Sequence, residues 1–180
     1  MTPSMQPSGE MITLVQPLIP ALRRYARALL RDRDEADDLV QDALERAIAN
    51  WRQRRRASSL RAWLFTILHN LAMDRLRRRA RRGYPAPIED VPEARLAIPP
   101  TQETAAAQRN IMALVARLPE EQRSVLLLIG VEELSYAEAA RVLDVPQGTI
   151  MSRLSRARER LRRLMEEGEA ASPPSLRIVP

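Results

Sequence analysis

Apolar residues recur along this chain at spacings of three and four in six or seven places, the signature of amphipathic helices. A first helix is predicted near Leu18–Leu30, with Leu18, Leu22, Tyr25 and Leu29 on one stripe and Pro20 tolerable in the first turn. A second is predicted from Asp34, a good N-cap, through Ala36, Leu39, Val40, Ala43, Leu44, Ala47, Ile48 and Trp51. After the polar stretch Arg52–Ser59, a third carries Leu60, Trp63, Leu64, Ile67, Leu68 and Leu71 into the basic run Arg75–Arg82. Three apolar faces of this kind can close a small bundle.

From Gly83 to Glu103 five prolines interrupt every period, so a linker is placed at residues 83–104, extended and acidic. Periodicity resumes with Ala105–Leu118, whose Ile111, Leu114, Val115 and Leu118 are expected inward, and continues past Pro119 through Val125–Val131. Ser135 to Glu138 reads as a capping box, in which hydroxyl and carboxylate reciprocally satisfy free amides at a helix start. That short helix ends near Leu143, and Asp144-Val145-Pro146 turns into a last helix from about Gln147 to Met165. The expected fold is all-α: two small helical bundles, residues 18–82 and 105–167, joined by a flexible linker and free to move independently. Residues 1–17 and 168–180 are expected to be flexible.

Composition sharpens this reading. All 29 basic residues are Arg, against 23 acidic ones, for a net charge of +6 and a pI near 10.9. Nucleic acid is the default partner at such a balance, and Arg binds phosphate and guanine in a bidentate manner. A GC-rich genome would also account for the absence of Lys. The charge is unevenly placed, with +8 over residues 1–83, −3 over 84–104 and +1 over 105–167, as separate modules with an acidic connector would have it. Without Cys there is no disulfide framework or thiolate metal site. One His, no Gly-rich phosphate loop and no ligand cluster leave little for an enzyme, and no catalytic residue, metal or cofactor is expected. Met1 to Glu10 lacks the pattern of a signal peptide and no stretch suits membrane insertion, so a cytoplasmic location is expected.

The last helix carries the strongest functional signal. Ile150, Leu154, Ala157, Leu161 and Leu164 line one side, with Ser152, Ser155, Arg156, Glu159 and Arg163 opposite and Met151, Arg158, Arg160 and Arg162 flanking. A short capped helix, a tight turn and a longer Arg-rich helix form a helix-turn-helix whose second helix can enter the major groove. Spacing alone favours DNA reading over the alternative, a solvated amphipathic helix with its charges in water.

The stretch LPEEQRSVLLLIGVEELSYAEAARVLDVPQGTIMSRLSRARERLRRLM resembles region 4 of extracytoplasmic-function (ECF) sigma factors of the sigma-70 family. DEADDLVQDALERAIANW followed by LRAWLFTILHNLAMDRLRRRARR resembles their region 2. The two together, in this order and at this separation, are far more specific than either alone. The resemblance implies a subunit that binds core RNA polymerase, through the β′ clamp and the β flap, and directs it to promoter DNA under the control of an anti-sigma factor.

It also implies three surfaces. Asp37, Asp38, Leu39, Gln41, Asp42 and Arg46 match the helix that docks on the β′ coiled coil. Independently, Asp32, Asp34, Glu35, Asp37, Asp38, Asp42 and Glu45 make an acidic island that DNA would repel, though acids at a helix N-terminus also complement its dipole. The loop Arg52–Ser59, with Arg54, Arg55, Arg56, Ser58 and Ser59, and the helix positions Asn70, Asp74, Arg75, Arg77 and Arg78 match the −10 surface, which captures a flipped base. Three consecutive Arg and no aromatic in this loop depart from many relatives. Thr149, Met151, Ser152, Ser155, Arg156 and Arg158 match the −35 surface, with Tyr136 near phosphate and Met151 where the family often has a basic residue. A helix-turn-helix repressor and a sigma-mimicking module that binds an anti-sigma factor are the alternatives. His69 is expected to be an ordinary residue and not a ligand.

Overall fold

The structure, a computed structural model, describes residues 9–54, 59–82 and 111–170. All regular elements among them are helical: α1 Gly9–Val15, α2 Ile19–Leu30, α3 Arg33–Asn50, α4 Leu60–Arg81, α5 at 111–116, α6 Glu120–Leu126, α7 Tyr136–Leu143 and α8 Gln147–Ala170. The linker expected at 83–104, the first part of the helix expected over Ala105–Leu118 (residues 105–110) and the tail beyond 170 lie outside the described residues.

Helices α2, α3 and α4 close the first bundle. Leu22, Tyr25 and Leu29 of α2 meet Leu39 and Ala43 of α3 and Leu64, Phe65 and Leu68 of α4, all essentially inaccessible to water. Burying each such side chain contributes on the order of 2 kcal/mol. The Tyr25 ring stands edge-on to Phe65, centroids 5.3 Å apart, and its hydroxyl lies 3.0 Å from His69 Nδ1. His69 is thus a packed residue, as expected. Burial, with Arg77 adding repulsion, pushes its pKa down to about 4, and burial pushes the Tyr25 phenol up.

The termini of the elements follow from local chemistry, with some shifts from expectation. Helix α3 begins one residue earlier than Asp34 because Asp32 is the N-cap: its carboxylate accepts from the Glu35 amide at 2.8 Å. Ser59 caps α4 by accepting from the Ala62 amide at 3.3 Å. The capping box at Ser135 and Glu138 is formed in both directions. The segment before Leu18, expected to be flexible, contains α1 over Gly9–Val15, which buries Met11 and Val15 in the core. Helix α8 runs to Ala170, about one turn beyond the expected end, through Gly168.

In the second bundle Val115, Leu118, Val125, Leu127, Leu128, Val142, Ile150, Leu154, Ala157 and Leu164 are buried, while Ile111, expected inward, is 43% exposed at the start of the described segment. Helix α6 does not end cleanly. Residues Leu127–Val131 form a π-helical turn, after which Glu133 adopts φ 51°.

The two bundles do not stand apart. One continuous apolar cluster runs from Tyr25 and Phe65 through Val125, Leu128 and Leu134 to Ile150, with α7 packed on α4 and α6 on α2. The expectation of independent modules is not met in this structure. Its premise, the Pro-rich connector, concerns the covalent link and leaves open what the two apolar surfaces do when they meet.

The His69 environment predicts a pH dependence. With a folded pKa near 4 and an unfolded value near 6.5, the unfolded chain binds the extra proton between these limits. The contribution of His69 to stability is whole above pH 6.5 and is lost as pH falls towards 4, by ~3 kcal/mol. Urea denaturation from pH 7 to 4 should show this loss, and His69→Gln should flatten it relative to the unaltered protein.

Candidate functional site

The acidic helix α3 is held against its neighbours by arginines. Arg27 of α2 reaches both carboxylate oxygens of Asp37 at 3.1 and 3.2 Å, with Arg23 at 3.7 Å. Arg75 of α4 pairs with Asp42 and also donates to the Glu35 carbonyl at 2.8 Å. Arg79 lies 3.5 Å from Glu35. Leu39 is fully buried in the bundle. Of the six residues expected to dock on polymerase, Leu39 therefore cannot be reached by a partner, and Asp37 and Asp42 already have arginine partners. Asp38, Gln41 and Arg46 face outwards, joined by Glu45, which accepts from Gln41 at 3.2 Å.

The basic helix α4 sorts in the same way. Asn70, Asp74, Arg77 and Arg78 recur at spacings of four, three and one, on one face, with Asn70, Arg77 and Arg78 exposed. Arg77 donates to Asp74 at 2.6 Å and holds its carboxyl below the usual range. Arg75, assigned to this surface from sequence, is instead turned inwards to Asp42. At the foot of the preceding loop Trp51 and Trp63 meet edge-to-face at 6.2 Å, and the Arg54 guanidinium lies 4.8 Å from the Trp51 centroid. Arg55, Arg56 and Ser58 lie outside the described residues, and Ser59 is occupied as the α4 cap.

The helix-turn-helix is made by α7, a turn in which Asp144 takes φ 51°, and α8. The left-handed residue at the helix end lets the Val145 amide reach the Ala140 carbonyl at 3.1 Å, and Pro146 opens α8. Thr149, Ser152 and Arg156 follow one another along α8. Ser152 Oγ donates to the Thr149 carbonyl at 3.0 Å, and Arg156 donates to Ser152 through its Nε and a terminal nitrogen at 3.3 Å each. Tyr136, Met151, Ser155 and Arg158 line a shallow groove beside this row with Glu159 and Arg162. Tyr136 and Met151 are 43% and 61% exposed, so the seven residues expected to read DNA here form a continuous, largely open face.

What sequence reasoning missed lies between the bundles. Glu132, 1% exposed, accepts from Arg24 Nε and a terminal nitrogen at 2.8 and 2.7 Å and from Arg61 at 3.3 Å. Arg61 also donates to the Glu132 carbonyl at 2.6 Å. These partners stand 108 and 71 residues away in sequence, beyond the reach of any periodicity, though a lone pair of acids closing the apolar run before Leu134 was a visible irregularity.

The folded chain can be set beside known proteins. Residues 15–69 match the family described as the Sigma2 domain of PhyR, and residues 108–161 that described as Sigma-70, region 4. The chain is 39% identical to the ECF RNA polymerase sigma factor EcfG of Rhodopseudomonas palustris, across 82% of this chain and 80% of that protein. The chain belongs to the ECF sigma factor family. ECF sigma factor SigM of Mycobacterium tuberculosis is 38% identical over 80% of this chain and 71% of its own length. Among solved structures, the sigma factor RpoE in complex with the anti-sigma factor NepR from Bartonella quintana superposes with a TM-score of 0.74 at 36% identity, covering 87% of this chain and 97% of that one. The chain is accordingly an alternative sigma factor with a DNA-binding region 4. Among the described residues no helix is long and apolar enough to cross a membrane.

The two classes of arginine on α4 are separable by stability. Arg75→Ala should lower the unfolding free energy by about 1–2 kcal/mol, having removed an ion pair and a carbonyl contact. Arg77→Ala and Arg78→Ala, on the open face, should stay within about 0.5 kcal/mol of the unaltered protein in the same denaturation experiment.

Proposed function

We propose that this sigma factor docks on core polymerase through the outward row Asp38, Gln41, Glu45 and Arg46 of α3, reads the −10 element with the Arg52–Ser59 loop and the Asn70–Arg78 face of α4, and reads the −35 element with α8. What carries the reading is the division of charges. The exposed acids of α3 and the exposed arginines of α4 and α8 lie on different helices, so a protein partner and a polyanion can be engaged together. The β′ clamp is the polymerase element whose coiled coil suits the α3 row, and the β flap falls to the second module. An anti-sigma factor is the expected regulator, because the RpoE structure that this chain resembles holds one.

On α8, Arg156 is pre-oriented by Ser152 and can address guanine O6 and N7, while Thr149 and Ser152 supply hydroxyls. Tyr136, exposed at the start of α7, meets phosphate in this reading. Met151 offers only an apolar surface, so contact there falls on a thymine methyl or a sugar. A sigma-mimicking module is the second reading, since one matching domain family is named for PhyR. Two solved PhyR structures are 20% and 24% identical to this chain and show the fold alone, whereas EcfG and SigM match at 39% and 38% over most of their lengths.

Mapping transcript 5′ ends made by core polymerase with this protein should give one defined start and both promoter elements, and a mimic would give none. Asp38→Arg with Glu45→Arg should abolish holoenzyme formation on gel filtration while circular dichroism stays helical. Arg156→Ala should cost about 1–3 kcal/mol in promoter binding and relax preference at one −35 position if it reads a base, or weaken all promoters alike if it holds phosphate.

A further inference from the structure

The two modules are joined by a carboxylate that water does not reach. Glu132 sits at the end of α6 and is carried inwards by the π-helical turn Leu127–Val131, whose last bond runs from the Glu132 amide to the Leu127 carbonyl at 2.9 Å. The next residue, Glu133, takes the left-handed φ of 51° that turns the chain towards Leu134. Both features are local departures from regular helix that cost free energy and persist only where the surroundings enforce them. What enforces them is the pair of guanidiniums from the other module, Arg24 gripping Glu132 with two bonds and Arg61 with bonds to its side chain and its carbonyl.

We propose that Glu132 is the latch of a closed, promoter-incompetent form of this protein, and that activation withdraws it from Arg24 and Arg61. The incompetence rests on the promoter reading above. Elements centred at −10 and −35 are about 25 base pairs apart, roughly 85 Å of duplex at 3.4 Å per step, whereas α8, the longest helix, spans only ~36 Å and α7 lies directly on α4. The closed contact also falls at the foot of the −10 loop. Ser59, the residue that ends that loop, lies near enough to Glu138 to help Ser135 hold its carboxyl below the usual range.

The chemistry suits a contact made to be released. A buried ion pair gains little over its separated, hydrated partners, because taking the charges out of water offsets most of their attraction. When the modules part, Glu132, Arg24 and Arg61 all regain water, which offsets part of the attraction lost and keeps the contact releasable. Removing one partner instead leaves the other facing the closed interface without its counter-charge. The same interface contains an opposing element. Arg123 of α6 is 6% exposed, donates to the Ala116 carbonyl at 3.2 Å and has a buried Nε without a hydrogen-bond partner. Glu132 thus holds shut an interface that also keeps a second guanidinium from water, a burial that disfavours its charge.

The experiment begins with the free protein, which needs neither polymerase nor promoter. The chain has no Cys, so dyes can be placed on Arg33→Cys and Arg160→Cys, one in each module, and energy transfer reports their separation. Glu132→Gln should lower the transfer efficiency, and, made in the unlabelled protein, should strengthen apparent binding to core polymerase roughly tenfold as the closed population is removed. Arg24→Glu with Glu132→Arg should restore both values towards those of the unaltered protein. Should Glu132→Gln lose helicity, Arg61→Gln, which leaves the Arg24 bonds in place, carries the same expectation with a smaller change. Unchanged energy transfer in a helical Glu132→Gln, or an opened protein with unaltered affinity for polymerase, would overturn the proposal. If energy transfer responds while even the unaltered protein initiates no transcript, the latch stands and the promoter reading fails.

Discussion

A guanidinium keeps its charge at every pH a cell meets and cannot be taken out of water without an acceptor. In a chain whose every cation is Arg, this rule decides the architecture. Wherever two helices close against each other beside an arginine, an acid or a carbonyl must be waiting: Asp37 for Arg27, Asp42 and the Glu35 carbonyl for Arg75, Glu132 for Arg24 and Arg61. Other arginines stay on the open faces of α4 and α8, where Arg77 and Arg162 pair only with acids of their own helix, Asp74 and Glu159. The packed and the exposed arginines are one residue type, separated by whether the acceptor lies on a neighbouring helix or on their own.

Most of the fold was legible in the sequence because helix periodicity is a local property. The stripes on α2, α3, α4 and α8, the capping box at Ser135 and the turn at Asp144 are all encoded within a few residues of themselves. The shifts that did occur are equally local. Asp32, not Asp34, is the cap: it stands three residues before Glu35, whose amide donates to its carboxylate. Helix α1 escaped notice because a seven-residue helix with two inward side chains is too short to display a period.

The site was legible in part. On α8 the residues expected to read DNA are where the pattern puts them, since an amphipathic helix with one buried stripe must expose the other. On α3 and α4 residue type alone could not tell a surface acid from a bundle acid. Asp38 and Asp42 are one turn apart and chemically identical, yet one faces water and the other faces Arg75. That distinction lies in the packing of three helices, as does the meeting of Arg24 with a glutamate 108 residues away. The resemblance to region 2 assigned Leu39 to a partner surface, and the helix turned it into the core.

One small feature gives this protein an optical property. Its only two tryptophans, Trp51 and Trp63, sit edge-to-face at the base of the Arg52–Ser59 loop, with Arg54 against the face of the first. Ultraviolet emission excited at the indole band therefore originates at a single locus, where a cation rests on one of the two indole rings. On the proposed −10 reading, a phosphate that draws Arg54 away changes the electrostatic surroundings of Trp51 and of Trp63 beside it. On that reading the chain carries a built-in fluorophore at the spot where strand opening is felt, with no label required.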